Sequence, residues 1–331
     1  MLPVVGYFTS IERQECINFG QMTNPNSQIS EGGFRYWLAF GAIYIIWGTT
    51  YLAIKIGIED FPPFIMASIR YFIAGVLLLG FCLIKGEKIF SKGVGQKMLL
   101  GGFIMTFGQA VAFWSEKYIS SGLTAVFGSL LPICYIITDT RHWSHYKGSK
   151  LTLASIGLGL VGIVILFISP SEASEVHSGL LSFIASVVTV AGCFCWAAGS
   201  LYFKYYKRTG SLFENVGWQL IGGLICCMII ALIAGEWKTF DLKFISLKAW
   251  FSVIYLAIAG SIVALIALYW LLARRPAAIV GTYAYVNPVI AVLLGFLIAN
   301  EKITPVQILG MVLILVAAYM ANRVKFKTGG L

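Results

Sequence analysis

One lysine and one arginine, Lys55 and Arg70, stand inside apolar runs of this 331-residue chain. An ionisable side chain in a hydrocarbon setting is costly, so it faces a cavity or a partner. The two cations suit an anionic group such as a carboxylate, with Lys55 at the entry of a cavity. Lys55 also lies near enough to the end of its run to extend its stem to an interface. Arg70 is deeper, and its available partners are Glu59 or Asp60, a helix C-terminus, or a solute. Aromatic and amide groups occupy runs of the same kind: Trp47, Tyr51, Trp196, Gln219, Tyr283 and Asn287. They carry the rings, hydroxyls and amides with which a cavity holds a small polar solute. Trp47 and Trp196 fall past the middle of their runs and are the preferred lining aromatics. Trp114, Trp218, Tyr269 and Trp270 read as belt or packing residues, since Trp and Tyr are common at membrane interfaces.

Pro132 and Pro288 interrupt two further runs. Proline removes a backbone donor and clashes with the carbonyl four residues back, so each is expected to kink its helix and serve as a flexible point. Small residues precede them: Thr124, Ala125, Gly128 and Ser129 in one run, Gly281, Thr282 and Ala284 in the other. Small side chains permit close helix contact or leave volume for a ligand.

Other chemistry has less behind it. Asp139, His142 and His145 cluster between two apolar runs, and a membrane hydrolase or a metal site can be imagined from them. No Cys or Glu completes a ligand set there, and a catalytic site needs groups that converge in a pocket, so a solvated helix end is the preferred reading. Cys193 and Cys195 do not have a metal-ligand spacing, and no disulfide framework is readable. No Walker loop, GxSxG elbow or HExxH helix is present. No cofactor and no metal are expected. Thr304-Pro305-Val306-Gln307 reads as a helix start, with Thr304 as cap, Pro305 in the first position and Gln307 closing a capping box.

The elements that must position these groups are transmembrane helices. Of the residues, 59% are apolar and only 11% charged, against about a quarter charged in a soluble domain. Ten segments near the length of ~20 residues that spans a bilayer fall at 36–58, 64–85, 98–115, 122–138, 152–169, 179–202, 215–235, 249–271, 279–299 and 305–322. The net charge of +10 lies in short loops and forms no basic stripe, which argues against nucleic acid. With both ends placed in the cytoplasm, the inner segments hold 17 of the 24 Lys and Arg residues and the outer loops 5. Such an excess sets orientation. Residues 1–35 are then a cytoplasmic tail, as are 323–331, and Met22 is an alternative start.

The halves resemble each other. Trp47 precedes Lys55 by eight residues, as Trp196 precedes Lys204; Trp114 precedes Pro132 by 18, as Trp270 precedes Pro288. Two five-helix units, 36–169 and 179–322, enter the membrane from opposite sides because five is odd. This predicts an all-α integral membrane fold of two inverted repeats around a central cavity, an arrangement common in secondary transporters.

Trp47-Gly48, Lys55, Pro62-Pro63 and Arg70, followed by a Leu-rich helix, resemble the start of an EamA-type permease of the drug/metabolite transporter superfamily. In the second half Tyr285-Val286-Asn287-Pro288 leads through a Gly-rich helix to Glu301-Lys302, Thr304, Gln307 and Gly310, which is similar to the same family. The resemblance implies a ten-helix inner-membrane carrier that exports amino acids or related metabolites. One departure is that His145 follows Pro132 by thirteen residues, where Glu301 follows Pro288. The expected function is secondary transport of a small polar metabolite by alternating access, with a small-molecule substrate and the bilayer as partners and a monomer or homodimer as the assembly. No membrane-embedded acidic residue stands out as a proton carrier. The alternatives are a polytopic enzyme using Asp139, His142 and His145, or a non-transporting sensor or assembly subunit.

Overall fold

The computed structural model describes residues 33–119, 124, 127–168, 179–205, 210–299 and 304–323. The expectations for the tails, for Met22 as a start, and for Ala125, Glu301 and Lys302 fall outside them. Among the described residues every regular element is helical. In order these are α1 Phe34–Gly57, α2 Pro63–Ile84, α3 Val94–Ser115, α4 Leu131–Thr138, α5 Lys150–Ile168, α6 Leu180–Tyr205, α7 Leu212–Ile233, α8 Leu247–Leu272, α9 Tyr283–Ala299 and α10 Pro305–Arg323. Beyond the opening residues of α1, they belong to one compact unit, Ala39–Val324.

Among the described residues eight stretches are long and apolar enough to cross a membrane: α1, α2, α3, α6, α7, α8, Ala277–Leu294 and α10. The apolar part of α5, Lys150–Leu166, is shorter. The fourth predicted span, 122–138, is described only in part, and its last section is the brief α4. Large apolar side chains such as Leu99, Ile233, Leu247 and Phe251 point outward and are exposed. So many exposed large apolar side chains suit a hydrocarbon solvent and not water.

The helix ends are built locally. Pro63 takes the first position of α2, where its missing N–H costs nothing. The Glu236 carboxylate then accepts the N–H groups of Phe64 and Ile65, each at 3.0 Å, and so caps α2 from the far side of the loop before α8. Ser211 caps α7 and Ser246 caps α8. At α10 the expected capping box is present: Thr304 N–H donates to Gln307 Oε1 at 2.9 Å, and Gln307 N–H donates to Thr304 Oγ1 at 3.2 Å.

Glycines let the helices cross closely. Gly162 of α5 and Gly310 of α10 meet backbone to backbone; a Cβ on Gly310 would stand 2.7 Å from the Leu166 nitrogen and 2.8 Å from the Gly162 carbonyl. Gly75 of α2 and Gly217 of α7 make a similar crossing, where a Cβ on Gly75 would lie 3.4 Å from the Gly217 carbonyl oxygen. α3 and α8 each contain a π-helical stretch, Thr106–Ala110 and Leu256–Val263. Such wide turns often mark functional sites. Replacing Gly310 by Leu is expected to push α5 and α10 apart and lower stability by about 1–3 kcal/mol, read as a reduced unfolding midpoint in detergent. Gly157→Ala, which meets nothing within 4 Å, should leave the midpoint in place.

Candidate functional site

Trp47 on α1, Trp196 on α6 and Tyr283 at the start of α9 come together in the interior, each no more than 5% exposed. The Trp47 and Tyr283 rings are 4.5 Å apart and the Trp47 and Trp196 rings 5.8 Å apart, near perpendicular. Both indole N–H groups are satisfied, as buried ones must be. Trp47 Nε1 donates to the Gly260 carbonyl in the π stretch of α8 at 3.1 Å, and Trp196 Nε1 donates to the Tyr283 hydroxyl at 2.9 Å. Gly108, in the π stretch of α3, lets Trp196 lie flat on that helix: a Cβ there would sit 3.0 Å from the Trp196 Cβ. Thus each of the two matching tryptophans rests on the widened helix of the other half.

Arg70 lies beside this trio and is only 2% exposed. Its Nε donates to Ser261 Oγ at 2.7 Å, and that hydroxyl donates onward to the Leu256 carbonyl at 3.2 Å. The guanidinium carbon stands 5.6 Å from the Tyr71 and Phe113 ring centres, within cation–π range. Gly260 keeps this space open, since a Cβ would lie 3.2 Å from Arg70 Nη2 and from Thr50 Cγ2. The acidic partners expected for Arg70 are elsewhere. Asp60 accepts the Ser246 N–H at 2.9 Å, and Glu59 is 3.9 Å from Lys248 on the exposed rim. Among the described residues no carboxylate pairs with Arg70.

Tyr51, one turn on from Trp47, is half-buried next to Asn287 and Gly128, its hydroxyl 3.3 Å from where a Gly128 Cβ would stand. The Asn287 Oδ1 is buried without a hydrogen bond among the described residues. Lys55, another turn along, is exposed. Gln219 is fully buried but belongs to a different contact: its Oε1 accepts from the Tyr269 hydroxyl at 3.0 Å, and its backbone abuts Gly101 of α3. Pro132 does not kink a continuous helix. A turn at Ser129–Leu130 ends the preceding stretch, and Pro132 sits in the first turn of α4, where proline is tolerated. Pro288 is inside α9, and a turn at Gly281–Thr282 separates α9 from the short helix before it. Both fourth segments are therefore interrupted, by turns that precede the prolines. A cavity of about 520 Å³ between α1 and α8, lined by Ala53, Ile56, Leu247 and Phe251 among others, is an outward apolar groove away from these groups.

Sequence reasoning missed Glu116. It follows α3 directly, and both its carboxyl oxygens are buried with no hydrogen bond among the described residues, in electrostatic range of Lys55 and Tyr51. Glu116-Lys117 at a segment end looks like a solvated pair. The available signal was that Glu116 and Lys55 close neighbouring segments on the same predicted side.

Asp139 and His142 do meet, at 3.2 Å, but in a structural knot. Tyr205 and Tyr146 donate to the Asp139 oxygens at 2.7 and 2.8 Å. The His145 side chain is outside the described set, and no group of three potential ligands is arranged for a metal among the described residues. Burial alone would raise the Asp139 carboxyl, but the bonds from His142, Tyr205 and Tyr146 outweigh it and hold it below its ordinary value. A depressed value in the folded state means stability present above the unfolded pKa of about 3.9 and lost as pH falls through the folded one. Asp139→Asn should lower the unfolding midpoint at neutral pH and remove that acid-side loss, read by thermal unfolding against pH.

The EamA-like transporter family model matches the chain twice, over residues 35–168 and 183–323. The chain is 32% identical to the "Uncharacterized inner membrane transporter YedA" of Escherichia coli (strain K12) over 290 residues, covering 87% of this chain and 90% of that one. It is 24% identical to a "Probable amino-acid metabolite efflux pump" of the same strain, covering 84% and 91% of the two chains. With Protein PecM of Dickeya dadantii (strain 3937) the identity is 26%, covering 81% and 86%. A solved crystal structure, 18% identical, superposes with a TM-score of 0.69 over 87% of this chain and 98% of its own, which is a likeness of fold. A multi-pass membrane chain of apolar helices, matched twice by one family model and a third identical to a named transporter, belongs to the EamA-like transporter family.

Proposed function

We propose that the protein is a secondary transporter that exports an amino acid or related small polar metabolite by alternating access. The observation that carries this reading is Arg70: a guanidinium almost wholly buried, held on one edge by Ser261, with no carboxylate against it among the described residues. A buried charge without a counter-ion is strongly unfavourable, and a solute carboxylate supplies what is missing. The likeness to a probable amino-acid metabolite efflux pump points to the same solute class.

Ten spans in two inverted fives, with both termini in the cytoplasm, complete the reading. The double family match supports the division. So does the pairing of like with like, α2 on α7 and α5 on α10, and the crossed rest of Trp47 and Trp196 on the π stretches of α8 and α3. In this scheme the trio of Trp47, Trp196 and Tyr283 is the closed barrier, and Tyr51, Asn287 and Arg70 bind beside it. A sensor or assembly subunit has no use for unpaired buried groups next to a packed centre.

Counterflow of labelled L-amino acids in proteoliposomes tests this. Trp47→Ala and Asn287→Ala are expected to lower the rate of the responsive solute. Wild type should favour a free amino acid over its carboxamide, and Arg70→Gln should lose about tenfold or more of that preference, the worth of a hydrogen-bonded charge. Counterflow absent for every solute tested, or a preference unchanged in Arg70→Gln, contradicts the reading.

A further inference from the structure

Glu116 is the second charged group held out of water near the trio, and its situation mirrors that of Arg70. Among the described residues neither carboxyl oxygen has a hydrogen bond, and both are inaccessible, although the residue as a whole is half-buried. Among the described residues the titratable groups that face it come from α1: Lys55, which is exposed, and Tyr51. α6 packs against the same turn through backbone and hydroxyl contacts, Ser115 Oγ to the Ala185 carbonyl and Ser182 Oγ to the Tyr118 carbonyl. On its own turn Lys117 is exposed and in electrostatic range of Glu236. From α2, Arg70 stacks on Phe113, about one turn before Glu116. Beyond Tyr51 lies the Asn287 Oδ1, a second buried acceptor without a donor.

Two unpaired acceptors flanking one tyrosine call for a ligand rich in N–H donors. A buried carboxylate in this state has two remedies: it takes a proton, or it pairs with a cation. We propose that Glu116 is one site for which a proton and the ammonium group of the solute compete, so that the carrier exchanges protons for amine-bearing solutes. This rests on the transport reading above. Arg70 takes the carboxylate end of such a solute and Glu116 its ammonium end. On one side of the membrane the Glu116 carboxylate accepts a proton and the ammonium leaves. On the other the O–H ionises, the proton departs and the next ammonium binds. One proton crosses in one direction for each ammonium in the other. The electrostatics agree: burial pushes the Glu116 carboxyl up to about 8, and the Lys55 ammonium pulls against it. A value in that region lets the group change state near neutral pH.

The test uses the full chain in proteoliposomes. Infrared difference spectra, wild type minus Glu116→Gln, should show a carboxylic acid band that titrates near a pH of about 8. Lys55→Gln should move that midpoint upward, because the ammonium that favours the ionised form is gone. A band that titrates in the ordinary carboxylate range overturns the inference. In the second arm, efflux of labelled L-amino acids is recorded with a pH dye trapped inside. Wild type should move protons inward as solute leaves, with a rate that changes about tenfold across the two pH units centred on the midpoint. Glu116→Gln should lose both the proton movement and that pH dependence. Solute efflux without proton movement in wild type, or an unchanged pH dependence in Glu116→Gln, overturns the inference and leaves the transport reading standing. No solute movement under any gradient overturns both.

Discussion

Two indole rings bridge the halves of this molecule, and the interior is arranged around them. An indole N–H inside a bilayer protein must find an acceptor, because no water is there to supply one. Most backbone carbonyls in a helix are already engaged. Trp47 finds its acceptor at Gly260, in a stretch of α8 wound as a π helix, and Trp196 finds the Tyr283 hydroxyl while lying on the π stretch of α3. The glycines at these stretches are a consequence: a side chain at Gly108 would strike Trp196, and one at Gly260 would crowd Arg70 and Thr50. The same π stretch of α8 presents Ser261 to Arg70. One widened turn therefore anchors the aromatic trio and orients the buried cation.

That geometry divides the polar groups into two kinds. Asp139, Glu214 and Glu236 accept from donors on other elements: Asp139 from two tyrosines, Glu214 through Oε1 from Lys97 and Ser91, Glu236 through Oε2 from the start of α2. They brace loops and helix ends. Near the trio, and among the described residues, Arg70 has no carboxylate against it, and the Asn287 Oδ1 and both Glu116 carboxyl oxygens are buried without a hydrogen bond. Burial without satisfaction is rare in folded chains and calls for an explanation. On the transport reading proposed above, a polar solute that visits the site and departs answers all three together.

Much of the helical fold was legible because hydropathy and loop charge depend on short windows of sequence. The apolar runs, the capping box at Thr304 and Gln307, and the matching positions of Trp47 and Trp196 in the two halves all follow from residue type and spacing; that the two rings touch does not. The interruptions at Ser129–Leu130 and Gly281–Thr282 were less visible; the prolines advertised a break but not its position, since a proline fits the first turn of a new helix as well as a kink in an old one. Gln219 was grouped with the cavity because amides in apolar runs look alike, yet a helix rotation of a few tens of degrees sends one to the trio and another to Tyr269. Glu116 escaped because whether a carboxyl at a helix end turns to water or inward depends on tertiary packing, which spacing along one helix does not encode.

The central claim is that the trio separates two sides that open in turn. The most direct measurement is cysteine accessibility in oriented vesicles, on a background freed of native cysteines, with an impermeant thiol reagent applied from one side at a time. Tyr51→Cys reports the side of Glu116 and Lys55, and Ser200→Cys, four residues past Trp196, reports the other. Alternating access predicts that reversing the solute gradient raises labelling of one as it lowers labelling of the other. Labelling that stays fixed at both positions whatever the gradient, or that reaches both from the same side, contradicts it.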